Sequence, residues 1–452
     1  MQQAISYRDR DGFIVVTDQT AQRYVHHSYA KTYDQLMQSG LYQRLVGEGL
    51  LISHVEKSLG YEEGIQYYKI LEPQFLPFIS YPYEWTASQW KEALLNLLKI
   101  NSLCIEYGII LKDATPFNFS FLNGQCIFID TLSFEIYQDG EPWTAYRQFC
   151  ESMLGPSALA FFNDVVWIRM MQSFINGWPL QMISANLPAH TWLNSSLLFH
   201  IHLHCRFSKK NNKKKQATHL SKEKLLVLWS LIEKSVRGWN KKSNTKVWVD
   251  YYDTGILSKQ YFDHKLQIVT EWLKDVHPKN VIDLGANNGV FSIAASYNTN
   301  NVIAVEFDHD CVEQLRIKVK KENIENIETV YADITQPSAA VGWDNKERNA
   351  LVQRLRGDMV LSLALIHHLC ISANIPIHFV ADLFANMTTR YALVEFIPRS
   401  DPKVETLLLN RKDIFPDYTE ENFIKSFNNF FRLVKSTVCN FSERKLFLWE
   451  KK

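Results

Sequence analysis

A glycine turn that follows a buried strand constrains this chain more than any other feature. Residues 279–291 read Lys-Asn-Val-Ile-Asp-Leu-Gly-Ala-Asn-Asn-Gly-Val-Phe. Val281 and Ile282 are β-branched and apolar, which marks the end of a buried parallel strand closing at Asp283. Gly285 and Gly289 bracket a tight turn, and an apolar helix follows through Val290, Phe291, Ile293 and Ala294. Bare backbone at such a turn lets a ligand approach, and the helix start favours a polar or anionic group. The spacing is Gly-x-x-x-Gly, which departs from the Gly-x-Gly-x-x-Gly of a dinucleotide site.

Beyond the turn, strands and helices alternate, which predicts an α/β fold with a doubly wound parallel sheet. The second strand, 302–305, ends at Glu306, about 20 residues after the turn, where an acid accepts hydrogen bonds from ribose hydroxyls. Asp308 is the competing acid. The third strand, 328–331, leads to Asp333, a ligand or a loop cap. The fourth, 358–363, runs into Ala-Leu-Ile-His-His-Leu. Its end lies beside the end of the first strand, at the switch point where ligands bind. His367 and His368 are therefore candidates for a general base, with strand-end packing as the alternative. Glu395, closing the fifth strand, and Arg399 in the polar loop 397–402 are candidate acceptor contacts. Strands 431–438 and 445–450 form a final hairpin.

This order of motifs resembles class I S-adenosylmethionine-dependent methyltransferases over about residues 278–452. The resemblance implies a seven-stranded Rossmann-like sheet with its last strand antiparallel and S-adenosylmethionine as cofactor. Asp283, Gly285, Ala286, Asn287 and Gly289 would surround its methionine part, Glu306 its ribose, and Asp333 with Ile334 its adenine. No Asn-Pro-Pro-Tyr run occurs, which argues against amino-group methylation of nucleobases or glutamine. The expected acceptor is a small molecule, a glycan or a lipid-type intermediate.

The N-terminal half predicts an α+β domain. A hairpin spans 12–25 with its turn at 18–19, a helix covers 29–46, strands cover 67–71 and 78–81, and a periodic helix runs from 87 to 107. Asp113 and Asn118 then share a loop, and a hairpin turning at Asn123-Gly124 returns Asp130 to the same end. Asp, Asn and Asp in this order resemble the catalytic loop and metal-binding Asp of the protein-kinase and aminoglycoside-phosphotransferase fold. The resemblance implies a substrate-facing Asp113, magnesium on Asn118 and Asp130, and Mg-ATP in this domain. The chain departs from that pattern. It has no Gly-rich loop and no Val-Ala-Ile-Lys strand, and Leu111 and Lys112 stand where kinases carry His and Arg. The local alternative is that all three residues tie turns. The phrases at 79–85, 111–114, 128–134 and 394–398 are similar to those of a bacterial group of two-part methyltransferases that includes a rhizobial nodulation-type protein. A bifunctional enzyme that phosphorylates and methylates, and a non-catalytic binding protein, are the competing readings.

The expected domains are 1–205, a helical linker and lid at 206–277 with a basic run at 208–215, and 278–452. Formal net charge is +1, so no electrostatic argument favours nucleic acid. Seven scattered cysteines read as reduced thiols in a cytoplasmic protein. His202, His204 and Cys205 lack a partner pair, so no metal site is expected. The first residues lack the apolar core of a signal peptide, and no apolar run approaches the length of a membrane span.

Overall fold

Two units divide the chain. Unit 1 comprises Met1–Lys242 and Val341–Arg348, and unit 2 comprises Ser243–Ala340 and Asn349–Lys452. The computed structural model describes residues 3–6, 8–17, 20–208, 220–241, 258–409 and 414–452. The turn at 18–19, all but the first residue of the basic run 208–215 and the lid segment 242–257 lie outside the described residues.

Unit 1 opens with strands β1 (Gln3–Ile5), β2 (Gly12–Val16), β3 (Ala21–Val25), β4 (His54–Lys57) and β5 (Lys69–Pro73). They form an antiparallel sheet in the order β1-β2-β3-β5-β4. The helix expected over 29–46 is two helices, Ala30–Gln38 and Leu41–Gly47, because Gly40 adopts a left-handed φ of 85° between them. Residues 78–81, expected as a strand, do not form one. Pro77 and Pro82 bracket them, and proline cannot donate to a ladder. The fifth strand is instead β4, whose exposed, charged residues gave no alternating signal.

The helix Ala87–Cys104 starts on Thr86, whose side chain accepts from the Gln89 amide, and it buries Trp90, Leu94, Leu97 and Leu98. β6 (Ile109–Leu111) pairs with β9 (Phe134–Ile136), and β7 (Phe119–Leu122) pairs with β8 (Gln125–Phe128). Asn123 and Gly124, both at positive φ, turn the second pair as the sequence predicts. The segment 206–277 is not a body of its own. Leu225, Trp229, Ile232 and Val236 of helix Lys222–Arg237 pack into the core of unit 1. Val269 and Leu273 of helix Lys259–Val276 pack into that of unit 2. Each amphipathic face has its own core to join, and the division falls between the two helices.

Unit 2 is a seven-stranded sheet of β10 (Asn280–Leu284), β11 (Asn301–Glu306), β12 (Ile327–Tyr331), β13 (Gly357–Ser362), β14 (Thr388–Phe396), β15 (Phe431–Val438) and β16 (Lys445–Lys451), in the order β12-β11-β10-β13-β14-β16-β15. β10 to β14 run parallel, and β16 is antiparallel to both β14 and β15. The strand order reverses between β10 and β13, which makes their C-terminal ends the switch point of the sheet. Among the described residues, no helix is long and apolar enough to cross a membrane.

Candidate functional site

The turn after β10 is pinned from below and crowded from two sides. The amides of Gly285 and Ala286 both bond the Val305 carbonyl, at 2.9 and 3.1 Å. Gly289 has a φ of +80°, and a Cβ there would stand 2.2 Å from Cδ1 of Leu315. It is glycine because the helix His309–Lys321 packs against it. Gly285 has a φ of +73° and lies under Leu365, whose Cδ1 would be 3.2 Å from an added Cβ. The segment after β13 is thus laid over the turn.

The acids predicted for the cofactor are all at this end, with different bonding. Asp283 is buried and accepts the Ser292 hydroxyl at 2.6 Å. Burial pushes its carboxyl up to about 6, against the pull of that hydroxyl and of Lys265. Glu306, also buried and raised by burial, accepts three backbone amides, from Asn287, Phe307 and Asp308, at 2.8–2.9 Å. It ties the glycine turn to β11 before any ligand is considered, and a carboxylate with about four acceptor positions keeps one beyond these. Asp308 is spent as the cap of helix His309–Lys321, accepting the Asp310 and Cys311 amides. Asp333 is half-buried, and both Thr335 bonds fall on its Oδ1. Ile334 follows it, half-buried.

Three polar side chains at the same end have buried atoms without a hydrogen-bond partner: Asn288 Oδ1, Ser362 Oγ, and both ring nitrogens of His367. Ser362 ends β13 opposite Leu284 of β10. His367 is fully buried, and its ring lies 4.0 Å from that of His368. Burial, then the cations around it, hold the His367 imidazole well below its ordinary value, and burial brings His368 to about 4. Both are neutral near pH 7.

A buried ion network lies beside them. Glu395, at the end of β14, receives the Tyr261 hydroxyl and Lys265 Nζ, the latter at 2.6 Å. Arg444 reaches Asp401 through Nε at 2.6 Å and Nη2 at 3.0 Å, and Tyr261 through Nη1 at 3.4 Å. All five side chains are buried. Burial would raise Glu395, but the Lys265 and Arg444 cations outweigh it and its carboxyl is lowered. Glu395 is therefore a structural partner rather than the acceptor contact expected for it. Arg399 likewise spends Nη1 on the Phe415 carbonyl at 2.6 Å. Pairings across 130 and more residues have no local signature; only the burial of a charged residue on an apolar helix face, as at Lys265, hints at them.

In unit 1, Asp113, Asn118 and Asp130 do converge, but they are occupied. Asp113 accepts Gln148 Nε2 at 2.6 Å and the Thr115 amide at 3.2 Å, and burial followed by the Asp130 charge raises its carboxyl. Asn118 donates to Ser133 Oγ at 2.8 Å, and that hydroxyl donates to Asp130 Oδ2. Arg23, on β3, donates to Asp130 Oδ1 at 2.5 Å. A guanidinium stands where the sequence pattern implies magnesium. Among the described residues, no group of three His, Cys, Asp or Glu is arranged to hold a metal.

Residues 249–345 match the family model of the methyltransferase small domain. The chain is 29% identical over 420 residues to nodulation protein NoeA of Rhizobium meliloti (strain 1021), covering 90% of this chain and 88% of that one. Among solved structures, the chain is similar to the N-methyltransferase NodS of Bradyrhizobium japonicum WM9, at 10% identity over 43% of this chain and 98% of that one, with a TM-score of 0.33. Magnesium protoporphyrin IX methyltransferase of Synechocystis PCC 6803 with bound S-adenosylhomocysteine aligns at 16% identity over 45% and 93% of the two chains, with a TM-score of 0.33. The family match begins in unit 2 and ends within the segment 341–348.

Proposed function

We propose that unit 2 is an S-adenosylmethionine-dependent methyltransferase acting on a small molecule, a glycan or a lipid-type acceptor. The observation that carries this reading is the set of unpartnered polar atoms around a cramped glycine cradle. Asn288 Oδ1 and Ser362 Oγ are buried without partners at the turn and at the neighbouring strand end. Burying such groups costs about 1–3 kcal/mol each, a cost that a polar ligand removes. The residues fit the cofactor: Asn288 Oδ1 accepts from an amino group, the remaining position of Glu306 takes a ribose hydroxyl, and Asp333 Oδ2 accepts from an adenine amine. When bound, the cofactor supplies an electrophilic sulfonium methyl. His367, neutral and with both nitrogens unpartnered, takes the proton of an acceptor that is not already an anion. The buried ion network holds the start of helix Lys259–Val276 against the end of β14 and excludes water there.

The strand order and the two small strand pairs of unit 1 support a protein-kinase-like fold for it. Phosphotransfer is not part of the proposal, because the Arg23 guanidinium pairs with Asp130 where the sequence pattern implies magnesium.

Calorimetry with S-adenosylhomocysteine tests the reading. The wild-type chain binds it, and Asn288→Ala weakens binding by about tenfold, the worth of one buried hydrogen bond, without lowering thermal stability. Equal affinity of the two proteins would remove Asn288 from the site; absence of binding to both would remove the cofactor.

A further inference from the structure

Val341–Arg348 lies between β12 and β13 in sequence, yet belongs to unit 1. The segment is a built turn. Val341 and Arg348 exchange backbone hydrogen bonds at 3.0 and 3.2 Å, and Asp344 and Asn345 between them have φ values of 53° and 54°. Two consecutive left-handed residues of these types are hairpin-turn chemistry. Gly342, at a φ of +92°, leaves room for Glu347, whose Oε2 would stand 2.4 Å from an added Cβ. Glu347 in turn receives Arg8 Nε at 2.5 Å, and Val341 packs against the core of unit 1.

The strap ends at Arg348. Its guanidinium lies 3.8 Å from the centre of the Phe117 ring. Phe117, Tyr81 and Tyr83 pack edge-on to one another, with ring centres 5.6, 6.2 and 6.3 Å apart. Only 24% of the Arg348 side chain is exposed. A cation over an aromatic face gains most when water is kept from it, and the planar guanidinium stacks as an ammonium does not.

We propose that Tyr81, Tyr83 and Phe117 form a guanidinium-binding box whose ligand is Arg348 of the chain itself, and that strap 341–348 plugs unit 1 against Mg-nucleotide. A nucleotide needs a flat face for its base and a free carboxylate for its metal. Phe117 adjoins Asn118 in sequence, so the box borders the Asp113, Asn118 and Asp130 group. Arg348 fills the flat face, and Arg23 fills the carboxylate. Unit 1 is on this account a docking module for an internal arginine.

Hydrogen exchange of the full-length chain, followed by mass spectrometry with and without Mg-ATP, tests the proposal. In the wild type the backbone amides at 341 and 348 exchange slowly, and Mg-ATP leaves them unchanged. Arg348→Ala speeds their exchange by about tenfold or more, with β10 and β11 unaffected. Phe117→Leu keeps an apolar side chain but removes the ring face; it gives the same acceleration and decides the matter should Arg348→Ala fail to fold. Unaltered exchange in the folded variants overturns the box, and faster strap exchange on adding Mg-ATP to the wild type overturns the plug.

Discussion

Both units gather polar side chains at the end of a small set of strands, and they treat them in opposite ways. In unit 1, Asp113, Asn118 and Asp130 are bonded to the side chains of Gln148, Ser133 and Arg23. At the switch point of unit 2, the acids are tied to backbone and Ser292, but Asn288, Ser362 and His367 keep buried atoms with nothing to bond. A closed group stabilises a fold, whereas an open one costs stability and leaves bonding capacity for a ligand. The two groups therefore differ not in convergence but in the bonding that each has already made.

The largest effect separates the open group from the closed network next to it. Lys265→Met leaves Glu395 buried without its cation, and is expected to cost about 3–5 kcal/mol, read as a lowered urea midpoint. A loss within error would mean that Glu395 is not held by this pair. Next comes the pH response of the open group. His367 and His368 have folded values below their unfolded 6.5, so the unfolded chain binds protons more readily below that pH. Their contribution is therefore present above about 6.5 and is lost as pH falls, by about 2 kcal/mol per imidazole at pH 5. In His367→Phe the fall in stability between pH 7.5 and pH 5 should shrink by that share; a fall as large as that of the wild type would show His367 not to be buried neutral. The smallest effect belongs to the closed group. Asp130→Asn should cost about 1–3 kcal/mol and leave the affinity for S-adenosylhomocysteine unaltered. A change in that affinity would break the separation between the two groups.

Much of unit 2 is legible because its signals are local. An apolar β-branched run, a glycine turn and an acid at the next strand end lie close together in sequence, and the structure brings Asp283, Gly285, Gly289, Glu306 and Asp333 to one end of the sheet. Asn123-Gly124 announces its hairpin for the same reason. What stayed hidden depends on distant partners. Glu395 and Asp130 are strand-end acids like Asp333, and nothing within a few residues tells that Lys265 or Arg23 will meet them. Likewise β4 carries a solvent-facing sequence, and residues 341–348 look like any polar loop until Phe117 is placed beneath Arg348. Glu306 shows a subtler limit: its position was legible, but its three backbone bonds follow from the turn geometry and not from residue type.

The central claim is that the Gly285–Gly289 turn is a ligand cradle, and titration calorimetry with S-adenosylhomocysteine on the full chain and on Gly285→Arg tests it most directly. A saturable heat is expected with the wild type and none with the variant, whose side chain would fill the space beneath Leu365, while hydrogen exchange in unit 1 stays that of the wild type. Absence of binding to the wild type, or equal binding by the two proteins, would contradict it.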